Sequence, residues 1–154
     1  MYQKIMVPLD GSKLAECVFP HLSALAGGGQ VNNIVLIRVV EPFYQPSSPE
    51  FVLSPDDIDT VKAEMKAEAE DYLSLLMKNV KFNGVKVRSE ILTGSAAEVL
   101  ADYATQNEID LILIATHGRS GVSRWVWGSV ADRILRSACV PVLMVRAPGC
   151  VPGI

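Results

Sequence analysis

Cysteine is scarce in this 154-residue chain, and the three present, Cys17, Cys139 and Cys150, are odd in number and widely spaced. That pattern fits neither a disulfide framework nor a zinc site. Cys17 and Cys139 stand in apolar, helix-like contexts and are expected to be plain core residues. Net charge is only −3, so the basic surface of a general nucleic-acid binder is missing. No apolar run reaches bilayer length, and the best, residues 111–115, is as long as a strand. The opening MYQKIMVPLD lacks the basic-then-apolar layout and cleavage site of a secretory signal. Together with the cysteine usage, this makes a reducing cytoplasm the expected compartment. There is no internal repeat and no low-complexity segment. The chain also lacks the P-loop pattern GxxxxGK(S/T), and no GxGxxG follows its first apolar run. No Ser–His–Asp or Cys–His arrangement is suggested by placement, and no base stands out that could activate water.

Hydrophobic residues make up 49% of the chain and charged residues 20%, a balance that excludes disorder and suits one domain with a large core. Lys4–Leu9 reads as a strand ending at Asp10-Gly11-Ser12, with Ser12 placed to cap a helix. Leu14, Val18, Leu22 and Leu25 recur at helical spacing until Gly27-Gly28-Gly29, and Pro20 should kink or divide that helix. Asn33–Val40 is a second strand, and the prolines of 41–53 mark a loop. Ser54-Pro55-Asp56-Asp57 is a strong helix start, followed by a stripe of Ile58, Val61, Met65, Tyr72 and Leu76. The Lys/Glu run 62–71 is expected to be its solvated face. Residues 85–92 form a third strand, Ala96–Gln106 a helix with Val99, Leu100 and Tyr103 on one side, and 110–115 a fourth strand. Ser129–Ser137 is the last helix, with Val130, Ile134 and Leu135 inward, and a fifth strand runs from Pro141 to Val145. Short continuous apolar strands alternating with helices predict an α/β domain: a parallel sheet with helices on both faces. In such sheets ligands bind beyond the carboxyl ends of the strands, where strand order reverses.

The segment 112–130, ILIATHGRSGVSRWVWGSV, concentrates the functional signal. A strand ends in Thr116-His117-Gly118, a polar stretch follows, and Gly128-Ser129 opens a helix. Strand, glycine turn and helix start present bare N–H groups to an anion such as phosphate. A βα connection needs turn glycines in any case, so both readings stand on glycine content alone. Asp10 could hold Mg²⁺ or form an Asx turn. Ser129 could donate to phosphate, cap the helix, or both. His117 could donate to phosphate or to a carbonyl. Arg119 and Arg124 could screen phosphate or face solvent, and Trp125 and Trp127 are read as packing residues of the loop. His21 is read as a surface or partly buried histidine.

Over residues 2–146 the chain resembles the universal stress proteins, in the subgroup that binds ATP. The resemblance rests on KIMVPLDGS and on THGRSGVSRWVWGSVADRILRSACVPVLMVR. The subgroup's pattern is Gly, two residues, Gly, nine residues, then Gly and Ser or Thr. Here Ala115 stands at the first glycine, Gly118 at the second, and Gly128-Ser129 follow the nine residues Arg119 to Trp127. The methyl of Ala115 is small, and the nucleotide is expected to fit.

The resemblance implies a single-domain, Rossmann-like fold over 1–146, of the adenine nucleotide alpha hydrolase kind, with strand order 3-2-1-4-5 and a loose tail over 147–154. It implies that Pro8, Leu9 and Asp10 lie along the ribose and the metal or phosphate side, and that Val39 pairs with adenine through its backbone. Ile114 and Ala115 would line base and ribose, while His117, Gly118, Gly128, Ser129 and Val130 would hold the phosphates. The implied cofactors are ATP with Mg²⁺ or Mn²⁺, the metal held by Asp10. The implied partner is a second copy, joined through the strand from Pro141 to Val145, an apolar sheet edge that needs cover; neither nucleic acid nor membrane is expected. The expected function is a nucleotide-dependent regulatory module of the stress response. A slow ATPase or adenylyl-transfer enzyme, and a nucleotide-free dimeric stress protein, are the other readings.

Overall fold

The structure, a computed structural model, describes residues 2–42, 54–116 and 129–146. Five strands form one parallel sheet: β1 Lys4–Leu9, β2 Asn33–Val40, β3 Lys86–Thr93, β4 Leu111–Ala115 and β5 Val142–Val145. Four helices connect them: α1 Phe19–Gly27, α2 Pro55–Asn79, α3 Ala96–Gln106 and α4 Ser129–Ser137. The spatial order is β3-β2-β1-β4-β5, as expected, so the chain reverses direction across the sheet between β1 and β4. The third, fourth and fifth strands each begin one residue later than their apolar runs do.

Alternation divides the core into two layers. Ile5, Val7, Ile34, Leu36, Leu111 and Leu113 pack with Val18, Leu22, Leu73 and Leu76 of the first two helical segments. Met6, Val35, Ile37, Ile112 and Ile114 pack with Leu100, Tyr103 and Ile134 of α3 and α4. Both faces of β1 are sealed, which is why its run is continuously apolar.

Local sequence sets most helix boundaries. Pro20 divides the first helical segment: a 3-10 turn covers Ala15–Val18, and α1 starts at Phe19 with the proline in its first turn, where its missing N–H costs nothing. Ser54 caps α2 in a full capping box, its hydroxyl accepting from the Asp57 N–H while the Asp57 carboxylate accepts from the Ser54 N–H.

Three side-chain expectations are corrected. The fully buried residues of α2 are Ala69, Leu73 and Leu76, whereas Ile58, Val61, Met65 and Tyr72 are only half-buried. A helix of 25 residues is about 37 Å long, and its strands span only about 27 Å, so its first turns overhang the sheet. In α4 the inward residues are Ala131 and Ile134, with Val130 half-buried and Leu135 turned to solvent at 48% exposure. Cys139, just after α4, is exposed rather than in the core; Cys17 is half-buried, packed beside it.

The two central strands are tied at their start by Asp110. Its Oδ2 accepts from the N–H groups of Gln3 and Lys4 at 2.9 and 2.8 Å, and its own N–H donates to the Lys4 carbonyl. Asp110→Ala is expected to lower unfolding stability by about 1–2 kcal/mol, since charge-assisted bonds to two backbone donors are lost. Urea denaturation monitored by circular dichroism checks this, and an unchanged midpoint would remove the tie from the stability of the sheet.

Candidate functional site

A proline interrupts the β1–β4 ladder toward the carboxyl end of the sheet. Asn33 N–H donates to the Gln3 carbonyl, so Gln3 presents its backbone to β2; the Lys4 carbonyl accepts from Asp110 and so faces β4. The alternation continues along the strand, and Pro8 therefore turns its backbone nitrogen toward β4. Proline has no N–H to give. The pairing of β1 with β4 stops at Met6↔Ile112, whereas its pairing with β2 runs on to Leu9↔Arg38. Past Met6 the seam between the two central strands lacks a rung, at the point where strand order reverses.

Asp10 stands at the lip of this seam. Gly11 follows with φ +86°, a conformation that glycine adopts without strain, and turns the chain sharply. The Asp10 Oδ1 accepts from the Ser12 N–H at 2.9 Å and from its hydroxyl at 2.6 Å. The Ser12 oxygen in turn accepts from the Ala15 N–H at 3.2 Å, starting the 3-10 turn. Asp10 is thus an Asx-turn residue, its carboxylate fixed by the Ser12 backbone and hydroxyl. Among the described residues no group of three His, Cys, Asp or Glu could hold a metal. A divalent ion on Asp10 would take the rest of its shell from phosphate oxygens and water, as Mg²⁺ commonly does.

A charged cluster backs the turn on the α1–α2 face. The Tyr72 hydroxyl of α2 donates to Glu16 at 3.4 Å. Burial, with the neighbouring Glu16 and Asp10 carboxylates, pushes the Tyr72 phenol well above its ordinary range, while the Arg38 charge opposes the shift. Arg38 shares the β2 face of Ile34 and Leu36, and its Nη1 donates to the Val39 carbonyl at 2.6 Å. That carbonyl is directed by the strand. Val40 O accepts from Gly94 on the β3 side, so Val39 turns its own toward β1, beyond the last β1 residue paired with β2. On that far side of the cleft, Glu41 Oε1 accepts from the Ala96 N–H at the start of α3, at 3.5 Å.

Of the residues singled out from sequence, Pro8, Leu9, Asp10, Val39, Ile114 and Ala115 come together along this carboxyl edge of three adjacent strands. Their side chains divide between the two layers: Leu9 and Ala115 belong to one, Val39 and Ile114 to the other. What they share is the edge, where backbone is available. Ser129 and Val130 open α4, which follows β4 and leads to parallel β5, so it starts at the same end of the sheet. Val130 is half-buried, and the Ser129 side chain lies outside the described residues, as do His117, Gly118, Arg119, Arg124, Trp125, Trp127 and Gly128. The sequence reading missed Arg38, Glu16, Tyr72 and buried Thr116, whose N–H donates to Val145 O. An arginine inside the run NIVLIRVV was the available signal for the first, and the place of Thr116 at the end of the fourth apolar run for the last; nothing local marks Glu16 or Tyr72 as partners. His21 is exposed on α1, away from these residues in the chain.

Comparison with known proteins agrees with this architecture. Residues 1–146 match the model of the universal stress protein family. A curated relative, universal stress protein MJ0531 of Methanocaldococcus jannaschii, is 29% identical over 150 residues, covering 96% of this chain and 84% of the relative. The solved structure of MJ0577 from the same organism superposes with a TM-score of 0.83 at 23% identity, over 97% of this chain and 99% of that one. A universal stress protein from Arabidopsis thaliana, solved with AMP bound, superposes with a TM-score of 0.66 at 18% identity, covering 96% and 93%. With the family model spanning all but the last residues, and the strand order and folding pattern matching, the chain belongs to the universal stress protein family.

Proposed function

We propose that this chain is an adenine-nucleotide-binding regulatory module of the cytoplasm, taking ATP with Mg²⁺ or Mn²⁺ and signalling through the conformation the nucleotide holds. One observation carries the reading: the β1–β4 ladder stops short of Pro8, next to the Asp10 turn and the end of β2 at Val39, where strand order reverses. Open α/β sheets bind ligands at that position. The base would meet the Val39 backbone and the ends of β1 and β4, with Ile114 and Ala115 alongside. Asp10 would hold the ribose or the metal. His117, Gly118, Gly128, Ser129 and Val130 would take the phosphates, using the unpaired N–H groups at the start of α4. The AMP bound to the Arabidopsis relative supports an adenine nucleotide as the ligand class.

Asp10, fixed in its turn by Ser12, would hold the metal, which when bound would supply charge neutralisation to the phosphates. Asp10→Ala is therefore expected to weaken ATP binding at least tenfold with Mg²⁺ present and much less in EDTA, by titration calorimetry. Equal losses in both conditions would reassign Asp10 to the turn alone. If the protein binds no ATP at all, and mass spectrometry of the freshly purified protein finds no nucleotide, the reading fails.

The proposal assigns no catalytic residue. Steady-state phosphate release is expected well below the typical enzyme range of about 1–1000 per second. Turnover inside that range would replace the binding module by an ATPase on the same fold.

The module is proposed to act as a homodimer. β5 is the last strand of the sheet, and Leu143 on it is 40% exposed. An apolar edge with unpaired backbone groups calls for cover, and pairing the strand from Pro141 to Val145 antiparallel with its copy supplies it about a two-fold axis. Light scattering at micromolar concentration is expected to give the mass of two chains, and Leu143→Lys the mass of one; a one-chain mass for the unmodified protein would refute the pairing.

A further inference from the structure

We infer that the groove between α1 and α2 is a second binding site, for an amphipathic monoanion: a linear apolar chain that ends in one carboxylate. This site stands apart from the nucleotide reading and does not rest on it. Both helices lie on the same face of the sheet, and the groove between them has a volume of about 480 Å³. Small-molecule sites occupy roughly 300–1000 Å³. Tyr72, Leu75, Leu76 and Asn79 recur at i, i+3, i+4 and i+7, so they stand on one side of α2 and form a wall. Leu76 is buried, whereas Leu75 beside it is 58% exposed, more than any other large hydrophobic among the described residues. Phe19 of α1 and Phe82, just past α2, also line the groove, half-buried against the core. The outward positions of α2 one or two turns earlier, Glu68, Glu70 and Asp71, are charged, so Leu75 breaks the solvated pattern of its own helix. Apolar area left open in a groove is area that a ligand can cover.

Charge sets the head group and its direction. Lys13, which follows β1, lines the groove near the carboxyl end of the sheet, and its ammonium is taken by Glu16 at 3.0 Å. The same carboxylate accepts from the Tyr72 hydroxyl. Lys81, between α2 and β3, lines the groove near the amino end; it is exposed and makes no ion pair or side-chain hydrogen bond among the described residues. The C-terminus of α2 carries a partial negative charge of about half a unit, which Lys78 in its last turn and Lys81 beyond it outweigh. A carboxylate head therefore seats at Lys81, and the tail runs along Leu75 and Leu76 toward Phe19 and Tyr72. A second carboxylate at the far end would meet Glu16 and be repelled, so the ligand carries one. The wall from Tyr72 to Asn79 is about 10 Å long, which suits a chain of medium length.

Decanoate is the probe, with decanol and decyltrimethylammonium as its neutral and cationic counterparts, each titrated into the isotope-labelled protein and followed by amide chemical shifts. Decanoate is expected to move the amides of residues 72–82 and to bind about fivefold tighter than decanol, the size of one partly exposed ion pair. The cation is expected to bind more weakly than either. From hexanoate to decanoate, each added methylene is expected to raise affinity about twofold, half the energy of full burial because one side of the groove is open. Lys81→Gln is expected to bring decanoate and decanol to equal affinity, and Leu75→Ser to weaken both by about the same factor. Both substituted residues are exposed, and Lys81 lies outside any helix or strand, so the variants are expected to keep the fold, which circular dichroism verifies. No shifts at the groove, a preference for the cation, or a preference for decanoate that survives Lys81→Gln would overturn the inference. Light scattering tests the other occupant: self-association at high protein concentration that Leu75→Ser abolishes would assign the groove to a second copy instead. Whether ATP binds does not enter these outcomes, so the two readings fail separately.

Discussion

Pro8 lies in the middle strand of the sheet, where a missing backbone donor is seldom tolerated, and the nitrogen that lacks its proton faces β4. The β1–β4 ladder ends two residues short of it, while the β1–β2 ladder runs through to Leu9. The absent rung falls between the two strands where the chain reverses. Everything at the candidate site depends on this seam. Asp10 ends the strand at it, Val39 turns its carbonyl toward it, and Ile114 and Ala115 close its other wall. The opening is tolerated because the opposite ends of the same strands are tied by Asp110 and both faces are sealed by apolar side chains.

The cluster of Asp10, Glu16, Arg38 and Tyr72 links this seam to α2. Glu16 follows directly on the Asp10–Ser12 turn, and Tyr72 reaches it from the middle of the long helix. The crevice lip is thereby joined to a helix whose first turns extend beyond the sheet. The other end of the cleft is bounded by Glu41 at the start of α3, where an anion suits the helix dipole. Apart from Arg38 on β2, the charged groups described at the carboxyl edge stand on helix starts and turns, while the strands contribute backbone. Such an edge presents carbonyl and N–H directions that strand register controls, more than a variety of side chains.

Much of this was legible in the chain. Continuous apolar runs, glycine-bounded helices and the Ser54-Pro55-Asp56-Asp57 helix start marked the strands and most helix boundaries of the described residues within a residue or so, because those signals are local. Pro20 was read as a break, and it is one, since a proline's missing donor acts on its own helix. The errors were of another kind. Leu135 fits the apolar stripe of α4 by spacing but faces solvent, and Cys139 looked like core but is exposed. Whether an apolar side chain is covered depends on which neighbour lies across from it. At the site, Asp10 and Val39 carried a resemblance, whereas Glu16 and Tyr72, 56 residues apart, carried no sign that they would meet.

By itself the sequence determined the elements and the parallel α/β class, because hydrophobic period, caps and prolines act within a few residues of chain, whereas the candidate edge residues followed from the family resemblance. It also contained the decisive proline, but not its meaning. Whether Pro8 would interrupt a ladder, and which one, depended on strand order and on the direction of each backbone group, which are properties of pairing between distant segments. The same holds for Arg38: a charged residue in an apolar strand is visible in the chain, but its hold on the Val39 carbonyl at the open rim exists only once β1 has ended beside β2. Tertiary structure decided those points because hydrogen-bond direction across a sheet is set by register, and register is set by which faces the helices bury.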